Sequence, residues 1–101
     1  MLLAIDVGNT NITFGVYDGK KLVTTFRLMS KTPRTSDEFG VLITEMLSKN
    51  KIVVEQISGV IVASVVPNIM HSLTGGIKRY VNQRLLTVGA GVKTGIRIVT
   101  E

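Results

Sequence analysis

The amino-acid sequence predicts one α/β domain, in which helices pack on a mixed sheet and the elements follow the order β-β-β-α-β-α-β. The opening residues form short apolar or alternating runs, which favour strands. Residues 39–47 carry apolar side chains at helical spacing, and Ile57–Ala63 is a short run rich in β-branched residues. Antiparallel strands followed by helical crossovers indicate a mixed sheet.

The three opening strands are predicted from hydropathy and from one turn. Leu2–Val7 is apolar on both faces, which is typical of a central strand. Asn11–Tyr17 alternates between apolar and polar residues. Asp18-Gly19 predicts a hairpin turn into Lys21–Leu28, because both turn residues tolerate positive φ.

The first helix is predicted to begin after Thr35 and to end near Asn50. Thr35 can accept a hydrogen bond from the first turn while Glu38 reaches back, as in a capping box. Asp37 and Glu38 also suit the positive end of a helix dipole, so this pair of acids is explained without catalysis. An apolar stripe then follows at helical spacing, formed by Phe39, Leu42, Ile43, Met46 and Leu47.

The second half of the sequence predicts strand, helix and strand. Ile57–Ala63 reads as a buried parallel strand, and Pro67 suits the first turn of the helix that follows. Gly75-Gly76 weakens that helix or allows close packing against a sheet or another chain. Leu85–Val88 predicts a further strand, and Arg97–Val99 the start of another. The apolar side of the second helix is formed by Ile69, Leu73, Ile77, Tyr80 and Val81.

Composition limits the classes of function. The chain has 101 residues, of which 45% are hydrophobic and 19% charged, so a folded protein is expected. It has no cysteine, which argues against disulfides, thiolate chemistry and cysteine-based zinc sites. No apolar run approaches the roughly 18 residues of a membrane helix, and no basic leader precedes the first strand, so a cytoplasmic protein without membrane contact is expected. The net charge is +5, but aromatic residues make up only 5%, which gives nucleic-acid binding little support.

Asp6-Val7-Gly8-Asn9-Thr10-Asn11 is the stretch most informative about function. It joins two predicted strands and combines one carboxylate, one glycine and three side chains that can donate hydrogen bonds. Glycine lets the backbone approach a ligand, and the N–H groups of a turn can hold phosphate oxygens. A carboxylate at a strand end can hold Mg²⁺, directly or through water. The residues alone fit a nucleotide-phosphate site and an ordinary hairpin turn equally well.

Two other candidates are weaker. Gly89–Thr94 departs from a phosphate-binding P-loop, because Val92 and Thr87 stand where that motif needs glycine, so a connecting loop is expected. His71 is the only histidine and has no cysteine or nearby carboxylate as a partner. It is expected to be an ordinary helix residue.

Three segments together resemble the type III pantothenate kinases: Asp6–Asn11, Ser64–Pro67 and Lys93–Ile96. The resemblance covers Leu2 to Glu101. It implies the ribonuclease H-like fold of the actin/hexokinase/Hsp70 ATPase superfamily, whose N-terminal domain has the same order of elements. Residues 1–101 would then be an N-terminal ATPase-type domain, with a second domain expected beyond them.

The resemblance also implies an activity, namely the ATP-dependent phosphorylation of pantothenate to 4'-phosphopantothenate in the first step of coenzyme A synthesis. Asp6 would orient Mg²⁺ with its waters, and the family uses a monovalent cation such as K⁺ or NH₄⁺ as well. Family members are cytoplasmic homodimers. The segment implied to bind ATP consists of Asp6, Val7, Gly8, Asn9, Thr10, Asn11, Ile12 and Thr13.

The family's general base is the aspartate of a Gly-Ala-Asp-Arg segment, which is expected beyond Glu101, so no catalytic residue is assigned here and residues 1–101 alone are expected to be inactive. Thr100 falls where many members have a tyrosine that touches pantothenate, and it is the candidate substrate contact. The helix over Val65–Tyr80 is the predicted dimer surface, because Met70 and Val81 are left over from its core stripe. The alternative is a non-catalytic ATP-binding or transcriptional regulatory relative of the same fold.

Overall fold

The computed structural model describes residues 1–64, 66–81 and 84–89, which form a five-stranded sheet with two helices. A 3₁₀ turn at Val54–Gln56 precedes the fourth strand, and a π-helical turn at Ile77–Val81 continues the second helix. The predicted order of elements is confirmed. The strands and helices are β1 (Leu2–Val7), β2 (Asn11–Asp18), β3 (Lys21–Met29), α1 (Ser36–Lys49), β4 (Gly59–Ser64), α2 (Pro67–Gly76) and β5 (Arg84–Gly89).

The sheet is mixed, as predicted, and its strand order is β3-β2-β1-β4-β5. β2 pairs antiparallel with both β1 and β3, whereas β1, β4 and β5 run parallel. β1 therefore occupies the centre, which agrees with its apolar character on both faces. The helical crossovers connect the parallel strands, as parallel pairing requires.

The hydrophobic core lies between one face of the sheet and the two helices. Leu3, Ile5 and Val7 alternate along β1 and belong to this core, so the intervening Asp6 points to the opposite face. Burying each large apolar side chain contributes about 1.5–3 kcal/mol. The helices contribute Phe39, Ile43, Leu47, Leu73, Ile77 and Val81 to the same cluster.

The β2–β3 hairpin turn is confirmed, with a shift of one residue. Asp18 pairs with Lys21, so the two loop residues are Gly19 and Lys20. Gly19 has φ +62°, a conformation that glycine adopts without steric cost. An irregularity between Val16 and Tyr17 shifts the register by one residue, so Asp18 pairs with Lys21 and only two residues remain in the loop.

The predicted capping box at the start of α1 is confirmed. The Glu38 N–H donates to Thr35 Oγ1 at 3.1 Å, and the Thr35 N–H donates to Glu38 Oε1 at 2.7 Å. Asn50 caps the other end, as predicted. Leu42 and Met46 are only half buried, which departs from the predicted stripe, because α2 and the π-helical turn pack instead on the side of α1 that carries Gly40.

The predicted dimer surface requires a correction. Val81 is not left over from the core but is 2% exposed and belongs to it, and Met70 is partly buried against the same core. The reason is the spacing: Val81 lies four residues after Ile77, which lies four residues after Leu73, so Val81 falls on the same apolar side of the helix as these two buried residues. The close packing predicted for Gly75-Gly76 exists within the chain, against α1.

Among the described residues, no helix combines the length and hydropathy needed to cross a membrane.

Candidate functional site

The candidate site lies at the edge of the sheet where the parallel strands end. Val7 of β1 pairs with Ser64 of β4, which pairs with Gly89 of β5, so the three carboxyl ends are aligned. From this edge the chain leaves β1 through a turn into β2, whereas it leaves β4 toward α2, which begins at Pro67. Ligands of open α/β sheets bind outside the carboxyl ends of strands, where the connections diverge in this way.

Asp6 is exposed near this edge although it belongs to the central strand. Its neighbours Ile5 and Val7 are buried under the helices, and alternation along the strand places Asp6 on the opposite face, between Thr13 of β2 and Ala63 of β4. No hydrogen bond or ion pair joins its carboxylate to another residue in the described part of the chain. The carboxylate is therefore available to a cation.

The turn after β1 contains consecutive N–H groups that have no partner among the described residues. The Gly8 N–H donates to the Asn11 carbonyl at 2.9 Å, but within the described ranges no hydrogen bond returns from the Asn11 N–H to the Gly8 carbonyl. The N–H groups of Asn9 and Thr10 likewise donate to no described residue. Adjacent free N–H groups in a turn form a concavity that suits an anion such as phosphate.

Ser30, the first residue after β3, supports this turn from the side. Its N–H donates to the Thr10 carbonyl at 2.9 Å, and its hydroxyl donates to the Gly8 carbonyl at 2.6 Å. Sequence reasoning missed Ser30. The signal was present in the predicted hairpins, because pairing β2 with both β1 and β3 brings the end of β3 beside the β1–β2 turn.

The structure divides the predicted ATP-binding segment into two groups. The side chains of Val7 and Ile12 are fully buried in the core, so only their backbone could face a ligand. Asn9 and Thr10 are exposed in the turn, and Asn11 is half buried. Thr13 is 6% exposed and lies directly opposite Asp6.

Arg27 adds positive charge to the same sheet face. It pairs with Thr13 across β2–β3, so Arg27, Thr13 and Asp6 form one row over three adjacent strands. Strands are about 4.8 Å apart, which places the Cα atoms of Arg27 and Asp6 roughly 10 Å from each other. Arg27 is exposed and has no ion pair with a described residue, so its charge favours anions near the row.

A Mg²⁺ site at this edge would depend on one protein carboxylate. The described residues contain no group of three or more histidine, cysteine, aspartate or glutamate side chains that could hold a metal ion. Mg²⁺ in phosphoryl-transfer sites is commonly held by one or two carboxylates together with substrate phosphates and water. Asp6 beside a phosphate-binding turn fits that donor set.

The other acids near a helix start have structural roles. Glu38 belongs to the capping box, and Asp37 Oδ1 accepts hydrogen bonds from Arg79 Nη1 and the Tyr80 hydroxyl, both at 3.0 Å. The hydrogen bond from Arg79, followed by that from Tyr80, lowers the pKa of Asp37 from its ordinary value. The bond to Asp37 raises the pKa of Tyr80 in turn.

His71 is exposed on α2, as expected for an ordinary helix residue.

Several sequence predictions lie outside the described residues. They concern Thr100 as a pantothenate contact, Val65 in the second motif, the residues of the Gly89–Thr94 loop after Gly89, and the strand at Arg97–Val99. They stay predictions.

Comparison with known proteins identifies the family. The model of the family "Type III pantothenate kinase" matches residues 2–101. The type III pantothenate kinase of Agathobacter rectalis is 54% identical over 100 residues, which cover 99% of this chain and 38% of the relative. The chain thus spans about two fifths of the length of that curated relative.

Solved structures with much lower identity share the fold. A proposed N-acetylglucosamine kinase from Porphyromonas gingivalis matches with a TM-score of 0.64 and 19% identity, over 88% of this chain and 34% of that one. The ROK hexokinase from Thermus thermophilus matches with a TM-score of 0.62 and 13% identity, over 87% of this chain and 33% of that one. These neighbours confirm the predicted actin-like ATPase fold. With the family model matched from residue 2 to residue 101, the chain belongs to the type III pantothenate kinase family.

Proposed function

We propose that the protein to which these residues belong phosphorylates pantothenate with ATP, giving 4'-phosphopantothenate and ADP. Residues 1–101 supply the ATP-phosphate side of the site. The observation that carries the proposal is the β1–β2 turn, in which the N–H groups of Asn9 and Thr10 have no partner among the described residues and closely follow the exposed Asp6 in the chain. Membership of the type III pantothenate kinase family supports the choice of substrate.

In this proposal the turn binds the phosphates of ATP. The N–H groups of Asn9 and Thr10 donate to phosphate oxygens, and the exposed side chains of the turn add further donors. Catalysis of phosphoryl transfer consists largely of positioning and charge stabilisation. The turn suits positioning and charge stabilisation, because within the described residues no hydrogen bond of these N–H groups has to break when phosphate binds.

Asp6 has the role of holding Mg²⁺, directly or through water. An ion held there would supply positive charge that stabilises the phosphates of ATP during the transfer. Thr13 and Arg27 lie in the same row as Asp6 and extend the polar surface toward β3. The proposal includes a monovalent cation, K⁺ or NH₄⁺, and assigns it no residue of this chain.

The chemical step transfers one phosphoryl group. The terminal hydroxyl oxygen of pantothenate forms a bond to the γ-phosphorus as the bond from that phosphorus to the β–γ bridging oxygen breaks. ADP departs with the bridging oxygen, and the hydroxyl proton passes to a base that we assign to no residue from 1 to 101. Thr100 is retained as a candidate contact for pantothenate.

We further propose that the complete protein is a cytoplasmic homodimer, as the family resemblance implies. No dimer surface is assigned, because Val81 belongs to the core of one chain. Light scattering on the purified full-length protein measures the mass directly, and a monomeric mass at micromolar concentration would remove the dimer from the proposal.

The decisive experiment measures pantothenate-dependent ADP release by the full-length protein and its Asp6→Asn variant. We expect Asp6→Asn to lower turnover by two orders of magnitude or more, which corresponds to about 3 kcal/mol of transition-state stabilisation. Asp18→Asn is the matched control, since Asp18 is an exposed aspartate at the far end of β2. Its turnover should equal that of the wild type.

Each contrary outcome has a distinct meaning. Near-normal turnover of Asp6→Asn would remove Asp6 from the mechanism. A wild-type protein that binds Mg²⁺-ATP but releases no ADP with pantothenate would overturn the kinase proposal and favour the non-catalytic alternative. A protein that does not bind the nucleotide would also overturn the phosphate-binding role of the turn.

A further inference from the structure

We infer that Ser30 is a positioning residue for ATP, because its hydroxyl holds the Gly8–Asn11 turn in the open form that leaves N–H groups free for phosphate. The inference rests on the proposed function and adds a residue from a different element of the fold. Ser30 lies after the end of β3, about twenty residues from the turn, and is half buried there.

Ser30 holds the turn through both its backbone and its side chain. It makes two hydrogen bonds to it, from its N–H to the Thr10 carbonyl at 2.9 Å and from its hydroxyl to the Gly8 carbonyl at 2.6 Å. The backbone bond continues the β2–β3 ladder, so it fixes Ser30 beside the turn whatever its side chain. The hydroxyl bond is the additional element that only certain side chains provide.

The bonds to Ser30 also fix the direction of the neighbouring N–H groups. All peptide bonds of the described residues are trans, and the C=O and N–H of a trans peptide point to opposite sides. A Gly8 carbonyl directed at Ser30 therefore directs the Asn9 N–H away from Ser30. The Thr10 carbonyl, also bonded to Ser30, directs the Asn11 N–H away in the same manner.

The Ser30 hydroxyl and the Asn11 N–H compete for the Gly8 carbonyl. A tight four-residue turn usually closes with a hydrogen bond from the N–H of its last residue to the carbonyl of its first. Here those groups are the Asn11 N–H and the Gly8 carbonyl, and within the described residues they are not bonded to each other. The Ser30 hydroxyl occupies the carbonyl instead, and the turn stays open.

The test uses full-length protein with Ser30→Ala, Ser30→Thr and the control Ser58→Ala. Ser30→Ala removes the hydroxyl but keeps the backbone bond to Thr10, whereas Ser30→Thr keeps a hydroxyl. Ser58 is a close match, because its hydroxyl also donates to a backbone carbonyl, that of Met1 at 3.0 Å, at the opposite end of β1. Circular dichroism and thermal unfolding establish that each variant is folded.

Steady-state kinetics provide the first readout. Loss of one hydrogen bond that orients the binding groups is expected to raise the KM for ATP about tenfold in Ser30→Ala, and to leave the KM for pantothenate unchanged. Ser30→Thr should restore most of the ATP affinity, and Ser58→Ala should match the wild type. An unchanged KM for ATP in Ser30→Ala, or equal changes for both substrates, would overturn the inference while the kinase proposal stands.

Amide hydrogen exchange provides a second readout that needs no activity. Without nucleotide, the Asn11 amide should exchange more slowly in Ser30→Ala than in the wild type, because the freed Gly8 carbonyl can now accept its N–H. Equal exchange rates would overturn the proposed opening of the turn. A wild type without pantothenate-dependent turnover would count against the proposed function, and the exchange comparison would still decide whether Ser30 holds the turn open.

Discussion

The ring of Tyr80 lies against the Cα of Gly40, in the space where a side chain at position 40 would begin. A Cβ built on Gly40 would overlap the Cγ and Cδ1 atoms of that ring. The hydroxyl of Tyr80 continues past Gly40 and donates to Asp37, so one side chain crosses a full turn of α1. The π-helical turn is thereby joined to the first half of α1.

Gly40→Ala is expected to destabilise the protein by about 1–3 kcal/mol, the usual cost of inserting an atom into a packed contact. The loss occurs although alanine favours a helix interior by roughly 0.5–1 kcal/mol over glycine. Urea unfolding of the full-length protein measures the change. Ser48→Ala, at an exposed position of the same helix, should change stability by less than about 0.5 kcal/mol.

The role of the ring can be separated from helix propensity. In a Tyr80→Ala background the overlap no longer exists, so Gly40→Ala should become neutral or stabilising. An equal loss of stability in both backgrounds would show that Tyr80 is not the obstacle at position 40.

Gly75 and Gly76 are expected to respond differently to alanine. A Cβ on Gly76 would lie 2.5 Å from the Ser36 carbonyl oxygen and 2.9 Å from the Gly40 nitrogen, which are backbone atoms that cannot move alone. A Cβ on Gly75 would meet the Ser36 hydroxyl at 2.6 Å, and that hydroxyl can rotate away. We expect Gly76→Ala to cost about 1–3 kcal/mol and Gly75→Ala to be nearly neutral in urea unfolding, because helix propensity offsets its smaller strain. Equal losses would contradict this account.

Periodicity and turn chemistry predicted the elements of the fold because those signals are local. The alternation in β2, the capping box of Thr35 and Glu38, and the position of Pro67 each depend on residues within a few positions of one another. The start of α1 followed directly from the capping box.

Features that depend on contacts between distant elements could not be predicted from such local patterns. The π-helical turn at Ile77–Val81 was not predicted, because the spacing of its apolar residues also fits a regular α-helix, and the contact of Gly40 with Tyr80 joins residues on different helices. The predicted hairpins bring the end of β3 near the β1–β2 turn, but no local pattern around Ser30 indicates that its hydroxyl bonds to that turn. Its two bonds to the β1–β2 turn arise only when three strands are assembled.

Substitutions at exposed positions of the predicted ATP-binding segment should change the KM for ATP, whereas substitutions at its buried positions should change the free energy of unfolding. Asn9→Ala and Thr10→Ala alter exposed side chains of the turn, so we expect a higher KM for ATP and little change in the free energy of unfolding. Ile12→Val truncates a fully buried side chain and should cost about 0.5–1.5 kcal/mol of stability without changing the KM. Kinetics and urea unfolding of the same preparations measure both quantities. Turn variants that lose stability but keep their KM for ATP would contradict the assignment.

The hydrogen bonds among Asp37, Arg79 and Tyr80 predict the pH dependence of stability at both extremes. The pKa of Asp37 lies below its ordinary value of 3.8 in the folded protein, so its contribution is present above pH 3.8 and is lost as the pH falls through the folded-state pKa. The pKa of Tyr80 lies above 10.0, so its contribution is present below pH 10.0 and is lost as the pH rises through the folded-state value. Urea unfolding at several pH values should show the stability advantage of the wild type over Asp37→Asn between these limits. Both side chains of the Arg79–Asp37 ion pair are more than half exposed, so 1 M NaCl should reduce that advantage. A difference that persists below the folded-state pKa of Asp37 would show that its charge is not the cause.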